Sequence, residues 1–404
     1  MTFSLVWADD LSGAAEAADA WQRSSGGSIW IRLGADDQPP MAGEVWDLDL
    51  RHESEARARS RLAPRLARLD QDTSVFFKLD SQLRGPVRAY VEALLATGRS
   101  AVRSAANPAL GRVTTEGRHH VPGAATVPAL RDLFAGLPHR HLAATEYGHL
   151  SDLLTAAPPV LVTADVSSAA DLARLAECYR LRPPMHAAGS APFLSALEQR
   201  TTRGHSPSGL VAARPEQRSV AVPVPAPVPQ LLAVIGSTEP AGQAQVAALG
   251  DRDPQTAMMQ APATADARAI TECAREVRAA LARGVHTVLR PAPQPHPGAY
   301  RSRETMAALA ATCQAAIDGV GNAVALYLSG GHTARCVLEQ LGLTSLRTMP
   351  SGHGAVARLI AADGRTILTK PGSYGDPDTL LDLTAPAPAD DRPTPDKEPS
   401  GGLT

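Results

Sequence analysis

Short apolar runs rich in β-branched and aromatic residues alternate along this chain with longer segments whose apolar positions recur at helical spacing. In the first half, residues 3–8, 28–33, 44–48 and 74–79 read as strands, and 13–23, 53–69 and 87–96 as helices. In the second half, strands are expected at 231–235, 286–290 and 323–328, and helices at 265–282, 303–317 and 333–341. Strand–helix alternation predicts α/β domains with mostly parallel sheets. Alanine-rich faces on the longer helices predict close helix–sheet packing. In such folds ligands sit beyond the carboxyl ends of the strands, so the residues that follow each strand are the first candidates for chemistry.

Two segments break the pattern. Residues 221–230 read AVPVPAPVPQ, and proline at every second position removes backbone donors and favours a stiff, extended spacer. Beyond residue 383 the chain lacks the apolar residues to pack, and residues 384–404 are expected to be a disordered tail. No internal repeat is present. The predicted organisation is therefore two α/β domains, 1–220 and 231–383, joined by a proline-rich linker.

Composition narrows the function. The chain of 404 residues is 44% hydrophobic and 20% charged, ordinary values for a globular protein. Its formal net charge of −2 gives no electrostatic reason to expect nucleic acid or an anionic membrane as partner. Cys178, Cys273, Cys313 and Cys336 are dispersed, with no CxxC and no zinc-like spacing. The first residues carry two aspartates and no basic residue, unlike a secretory signal, and no apolar run reaches the roughly 20 residues of a membrane span. A cytoplasmic protein is expected. Of 39 basic residues only Lys78, Lys370 and Lys397 are lysines, so a lysine inside an ordered motif stands out as a choice of compact ammonium over guanidinium.

Six stretches could carry chemistry. The first strand runs into Asp9-Asp10-Leu11-Ser12-Gly13, where a carboxylate could orient a hydroxyl or simply cap the following helix. The strand ending near Lys78 leads into Leu79-Asp80-Ser81-Gln82-Leu83-Arg84-Gly85. Alternation places Lys78 and Asp80 on one face, and Arg84 could grip an acid bidentately. The segment from Asn107 to His120 holds Arg112 and adjacent His119 and His120; it reads as a polar loop with solvated histidines, unable to share a metal because neighbours on a strand face opposite sides. In the second half, Ser329-Gly330-Gly331-His332-Thr333 joins a strand to a helix and offers free backbone N–H groups for phosphate. Gly236-Ser237-Thr238 repeats that logic, and Lys370-Pro371-Gly372-Ser373-Tyr374-Gly375 adds a third glycine loop. No serine-hydrolase elbow, Walker A loop or GxGxxG unit is legible, which argues against a nicotinamide oxidoreductase.

In this order the motifs resemble those of the four-carbon acid sugar kinase family, formerly a domain of unknown function. Its A-D-D-L-T-G, K-x-D-S-T-L-R-G, P-A-x-G-R-T-T-x-x-G-x-H, G-G-D-T-A and K-x-G-x-F-G-D patterns fall here on Asp9–Gly13, Lys78–Gly85, Pro108–His119, Gly330–Ala334 and Lys370–Asp376. The resemblance implies an N-terminal acid-sugar-binding domain and a C-terminal nucleotide-binding domain, with ATP and Mg²⁺ as cofactors. It implies phosphorylation of threonate, erythronate or a 3-oxo-tetronate, and leaves a homo-oligomer open. It places Asp9, Asp10, Lys78, Asp80, Arg84 and Arg112 about the acid sugar, Arg84 on its carboxylate, and Asp10 or, next, Asp80 on the reacting hydroxyl. Ser237, Ser329, Gly330, Gly331, His332, Thr333, Lys370, Gly372 and Gly375 fall on the nucleotide side.

The chain also departs from the family pattern. His332 replaces an aspartate, Glu239 a serine, Gly242 a threonine, Gln82 a threonine and Tyr374 a phenylalanine. Most of these lie on the nucleotide side, which keeps in view a second reading, a non-catalytic acid-sugar binder or regulatory pseudokinase on the same fold.

Overall fold

The computed structural model describes residues 3–34, 43–70, 72–180, 185–199, 228, 230–293, 302–350 and 356–384. The first half runs β1 (Leu5–Ala8), α1 (Leu11–Ser25), β2 (Trp30–Leu33), β3 (Glu44–Asp47), α2 (Glu55–Leu66), β4 (Val75–Lys78), α3 (Val87–Leu95) and β5 (Ala101–Ser104). It continues with β6 (Val113–Thr115), β7 (Arg118–His120), α4 (Leu130–Leu133), β8 (His139–Leu142), α5 (Leu150–Thr155), β9 (Leu161–Ala164), α6 (Ala169–Arg180), β10 (His186–Gly189) and α7 (Ala191–Glu198). The second half opens with β11 (Gln230–Ile235), α8 (Pro240–Arg252), β12 (Ala257–Ala261), α9 (Ala267–Ala282), β13 (Thr287–Pro291), α10 (Arg303–Ile317) and β14 (Val324–Ser329). It closes with α11 (Gly331–Gln340), β15 (Ser345–Met349), β16 (Ala357–Ala361), β17 (Thr366–Lys370) and α12 (Thr379–Thr384).

Helix starts follow local chemistry. Asp10, Ser54, Ser190, Asp266 and Ser302 each accept a hydrogen bond from a backbone N–H in the first turn of the helix they precede, which satisfies a donor that the helix itself cannot. The alanines of α1 do what was expected of them: Ala14, Ala15, Ala17, Ala18 and Ala20 are all buried.

Both halves are α/β with mostly parallel pairing, and they share one sheet. Its order among the described residues is β12-β13-β11-β14-β17-β16-β15-β2-β3-β1-β4-β10-β5-β9-β8. The seam is the antiparallel pairing of β15 with β2, which sets Leu346 opposite Ile31. From β14 to β1 the sheet crosses six strand interfaces, over which the usual twist accumulates roughly 120–150°. That rotation offsets the antiparallel sense between the halves and lets the carboxyl ends of β14 and β1 face one another.

One continuous core underlies both halves on the face carrying α1, α6, α7, α9, α10 and α11. The other face is covered by α2 and α3 in the first half and by α8 and α12 in the second. Helices that follow the adjacent strands β1 and β4 therefore leave on opposite faces, as do those that follow β11 and β14. Each divergence opens a crevice at the strand ends.

Two expectations need correction. Residues 113–120 form a tight hairpin, β6–β7, and His119 in it is fully buried. His119 and His120 do face opposite sides. Strand β4 ends at Lys78, so Asp80 belongs to the following loop rather than to a face shared with Lys78. The linker at 221–230 lies outside the described residues except Val228 and Gln230, the latter opening β11, and so does the tail after Thr384.

Candidate functional site

The two crevices meet. A cavity of about 290 Å³ is lined from the first half by Asp10, Ser12, Arg51 and Arg84, and from the second by the Gly236–Glu239 loop, Gly330–Thr333 and Gly372. Contact between the halves is close here. A Cβ on Gly331 would lie 2.1 Å from Asp10 Oδ2 and 2.9 Å from Ser12 Oγ, so only glycine lets the start of α11 abut the acidic turn after β1. A larger cavity of about 740 Å³ opens beyond Ser12. Its walls are mainly small apolar residues, and its charged lining is led by Glu16, Asp19 and Asp376, a poor match for an anionic ligand.

On the first-half wall Arg51, at the exit of β3, is the hub. Its Nη2 and Nε donate to the two oxygens of Asp9 at 2.7 and 3.0 Å, and its Nη1 donates to Asp10. Against the cost of burial, the carboxylates of Asp10, Asp9 and Asp80 hold Arg51 charged. Asp10 has a second duty, accepting from Gly13 N at 2.7 Å as the cap of α1. Burial pushes the Asp9 carboxyl up against the pull of Arg51. Asp80 is buried too, but Arg51 and Arg84 outweigh that and hold it well below the usual carboxylate range.

The three predicted cations of the substrate side differ in their partners. Lys78 is paired with Glu16 at 2.9 Å, which keeps it protonated despite burial. Arg84 binds Asp80 and reaches across the cleft to Glu239 at 2.9 Å. Arg112 donates to two hydroxyls, Ser81 at 2.6 Å and Ser373 at 3.3 Å, with its guanidinium 5.3 Å from the ring centre of Tyr374. Neither Lys78 nor Arg112 lines the smaller cavity, nor do Asp9 and Asp80; they form the layer behind Asp10 and Arg84.

On the second-half wall, α11 begins at Gly330 with no side-chain cap, which leaves first-turn amides and the positive end of the helix dipole facing the cavity. Gly372 packs so closely that a Cβ there would lie 2.2 Å from Ser237 Oγ. Lys370 is buried at the end of β17, and burial pulls its ammonium down to about 8, with Glu239 acting the other way. Its Nζ donates to the carbonyls of Pro371 and Gly372 at 3.1 and 3.4 Å. His332 lies edge to face with His52, ring centres 5.3 Å apart. Ser237, Gly330, Gly331, His332, Thr333 and Gly372 thus line the cavity, whereas Ser329 and Lys370 are buried beside it and Gly375 lines the larger cavity.

The loop after β17 also crosses into the first half. The Tyr374 hydroxyl donates to Glu16 at 3.0 Å and accepts from Asn107 at 3.2 Å, and Gln82 donates to Ser373 at 3.0 Å. Sequence reasoning missed Arg51, His52 and Glu16. Arg51 sits in Asp-Leu-Arg-His after a four-residue strand, with neither glycine nor proline to mark a turn. Among the described residues no group of three His, Cys, Asp or Glu side chains is placed to hold a metal, and no helix is long and apolar enough to cross a membrane.

Comparison with known proteins agrees with this division. A sugar-binding N-terminal domain model matches residues 4–142, and a nucleotide-binding C-terminal domain model matches residues 232–380. Curated protein sequences give no match. Among solved structures, a Salmonella typhimurium LT2 protein provisionally described as a tRNA synthase superimposes with a TM-score of 0.69 at 18% identity, over 94% of this chain and 98% of its own. A Haemophilus influenzae protein of a family of unknown function does so with a TM-score of 0.63, also at 18% identity and with the same coverage. The two structures share the fold, and the paired domain models cover most of the chain: it belongs to the four-carbon acid sugar kinase family.

Proposed function

We propose that this protein is an ATP-dependent kinase that phosphorylates a terminal hydroxyl of a four-carbon acid sugar such as threonate, erythronate or a 3-oxo-tetronate. In this reading residues 1–220 hold the acid sugar and residues 231–383 the nucleotide, with 221–230 between them, and the protein works in the cytoplasm. The observation that carries it is the contact at Gly331, where the uncapped start of α11 meets Asp10 across one cavity. Phosphate held on those amides would lie beside the carboxylate that holds the acceptor.

The residues present fit a nucleotide: free helix-start amides, a glycine cradle at Gly372 and the buried ammonium of Lys370. Mg²⁺ bound with the nucleotide would neutralise charge on the transferring group. The chain's own part is positioning. Asp10, fixed by Gly13 N and Arg51, orients the acceptor hydroxyl. Asp80 is too firmly ionised between Arg51 and Arg84 to act as a base, so it serves to hold Arg84. Arg84 stands where charge develops on the phosphoryl group and stabilises it. That takes it from the role expected of it, and we assign the substrate carboxylate to Arg112, whose side-chain partners are hydroxyls. Reaching Arg112 requires the loop bearing Ser373 and Tyr374 to lift, so the acid sugar enters before the halves close.

The test is ADP release with Mg-ATP across D- and L-threonate, erythronate and 3-oxo-tetronates, with Arg112→Ala and Lys370→Ala beside the wild type. Substrate-dependent turnover lost in both variants is expected. No turnover on any acid, with no thermal shift on adding Mg-ATP, would overturn the kinase and favour an acid-sugar binder. The Glu239–Arg84 pair, an anion already seated in the cleft, is the observation on that side.

A further inference from the structure

We propose that Glu239 is an internal stand-in for the transferring phosphate: its carboxylate occupies that subsite in the nucleotide-free chain and must leave Arg84 for ATP to bind. The inference rests on the kinase reading and concerns the same cavity.

Four observations converge. Glu239 Oε1 accepts from Arg84 Nη1 at 2.9 Å, and the two side chains are 27% and 38% exposed, so the pair sits in the mouth of the cavity rather than behind it. Glu239 is the residue that caps α8, yet its side chain makes no capping bond to its own helix; it turns outward to the opposite half. Its negative charge also acts on Lys370, so one carboxylate serves a cation from each half. The uncapped start of α11 lines the same cavity. A cation paired with an anion, a second cation that feels the same charge and a helix N-terminus lining the same cavity are the elements of a phosphate site. The anion present belongs to the chain, on the loop where the family pattern has a hydroxyl.

Gly372 closes over the stem of this side chain, and a Cβ there would lie 3.1 Å from Glu239 Cγ. Displacing the carboxylate therefore also loosens the loop that follows Lys370. A terminal phosphate would take over Arg84 and Lys370 together. A nucleotide lacking that phosphate has no need to dislodge Glu239, so the contact weakens ATP binding and leaves ADP and AMP binding nearly untouched. Glu239 thereby sets the affinity for ATP without touching the acceptor.

Calorimetric titration of wild type, E239Q, E239S and E239D with Mg-ATP, Mg-ADP and AMP tests this. The neutral variants should bind ATP about tenfold or more tightly than wild type, with ADP and AMP changed by less than about threefold, and E239D should resemble wild type. In an Arg84→Ala background the E239Q gain should vanish, because the cation contested by the two anions is gone. Thermal melts of each variant confirm folding. Unchanged ATP affinity in E239Q and E239S, an equal gain for ADP and AMP, or a gain only for the acid sugar would overturn the stand-in. If wild type turns over substrate while E239Q keeps its ATP affinity, the stand-in falls alone. If neither wild type nor the neutral variants bind any nucleotide, the kinase reading falls with it.

Discussion

At the scale of single residues, Asp10 has two separable duties. It caps α1 through Gly13 N and faces the cleft beside Gly331. Asparagine caps helices about as well as aspartate but cannot carry the charge that orients a hydroxyl. Asp10→Asn should therefore leave the melting temperature within a few degrees of wild type while kcat falls about 100-fold or more. Parallel losses of stability and activity would reduce Asp10 to a cap. Lys370 offers a pH test. Burial lowers its ammonium from 10.5 to about 8. The folded chain therefore gives up this proton more readily than the unfolded chain, the burial penalty is fully present below pH 8, and it is relieved as pH rises towards 10.5. Nucleotide binding needs the charge and runs the other way. ATP affinity measured from pH 6.5 to 9.5 should fall as pH passes about 8 while the apo chain gains stability, and Lys370→Arg should flatten that fall.

At the scale of elements, the strand ends were legible because each is punctuated. Asp-Asp after β1, Asp-Ser after β4 and Gly-Gly after β14 all mark a change of direction, and the site residues quoted from the sequence cluster there. What stayed hidden had no such mark. The β6–β7 strands are three residues each, too short to show an alternating pattern, so buried His119 looked like a loop histidine; burial in fact lowers its ring to about 4 and keeps it neutral. Arg51 was hidden because its partners Asp9, Asp10 and Asp80 come from other strand ends. The start of α11 gives a test at this scale. Ala at the first helical turn would by propensity favour the helix by about 1 kcal/mol over Gly. The added Cβ would instead strike Asp10 and Ser12 and push α11 away from the acidic turn. Gly331→Ala should lower turnover about tenfold or more, with ATP affinity nearly unchanged because the backbone amides remain. Wild-type turnover in this variant would remove the contact from the mechanism.

At the scale of the molecule, the sequence pointed to two domains joined by a spacer, and the structure joins them through the sheet itself. Periodicity could not reveal this, since it identifies strands but not which strands pair across more than 300 residues. The β2–β15 seam is reinforced by the Ile29 N–H donating to Thr348 Oγ1 at 2.8 Å and by the buried Asp47–Arg335 pair at 2.8 Å. All four tryptophans, at 7, 21, 30 and 46, lie in the first half, so their fluorescence reports that half, whereas far-UV circular dichroism reports both. With a shared core under one sheet, urea unfolding of the wild type should give coincident curves from the two probes. Leu346 is fully buried at the seam and pairs with Ile31; Leu346→Pro removes both a backbone donor and a core side chain there. The fluorescence midpoint should then fall and part from the dichroism curve, as the first half loses the support of β15. Asp47→Ala takes the buried carboxylate away from Arg335 and leaves it exposed Glu339 and the backbone carbonyl of residue 47, and should cost about 3 kcal/mol in the same measurement. Non-coincident curves in the wild type itself would mean that the halves unfold independently. The closing of the cleft would then depend on its contacts at Gly331 and Arg84 alone, and no longer on the sheet that runs beneath them.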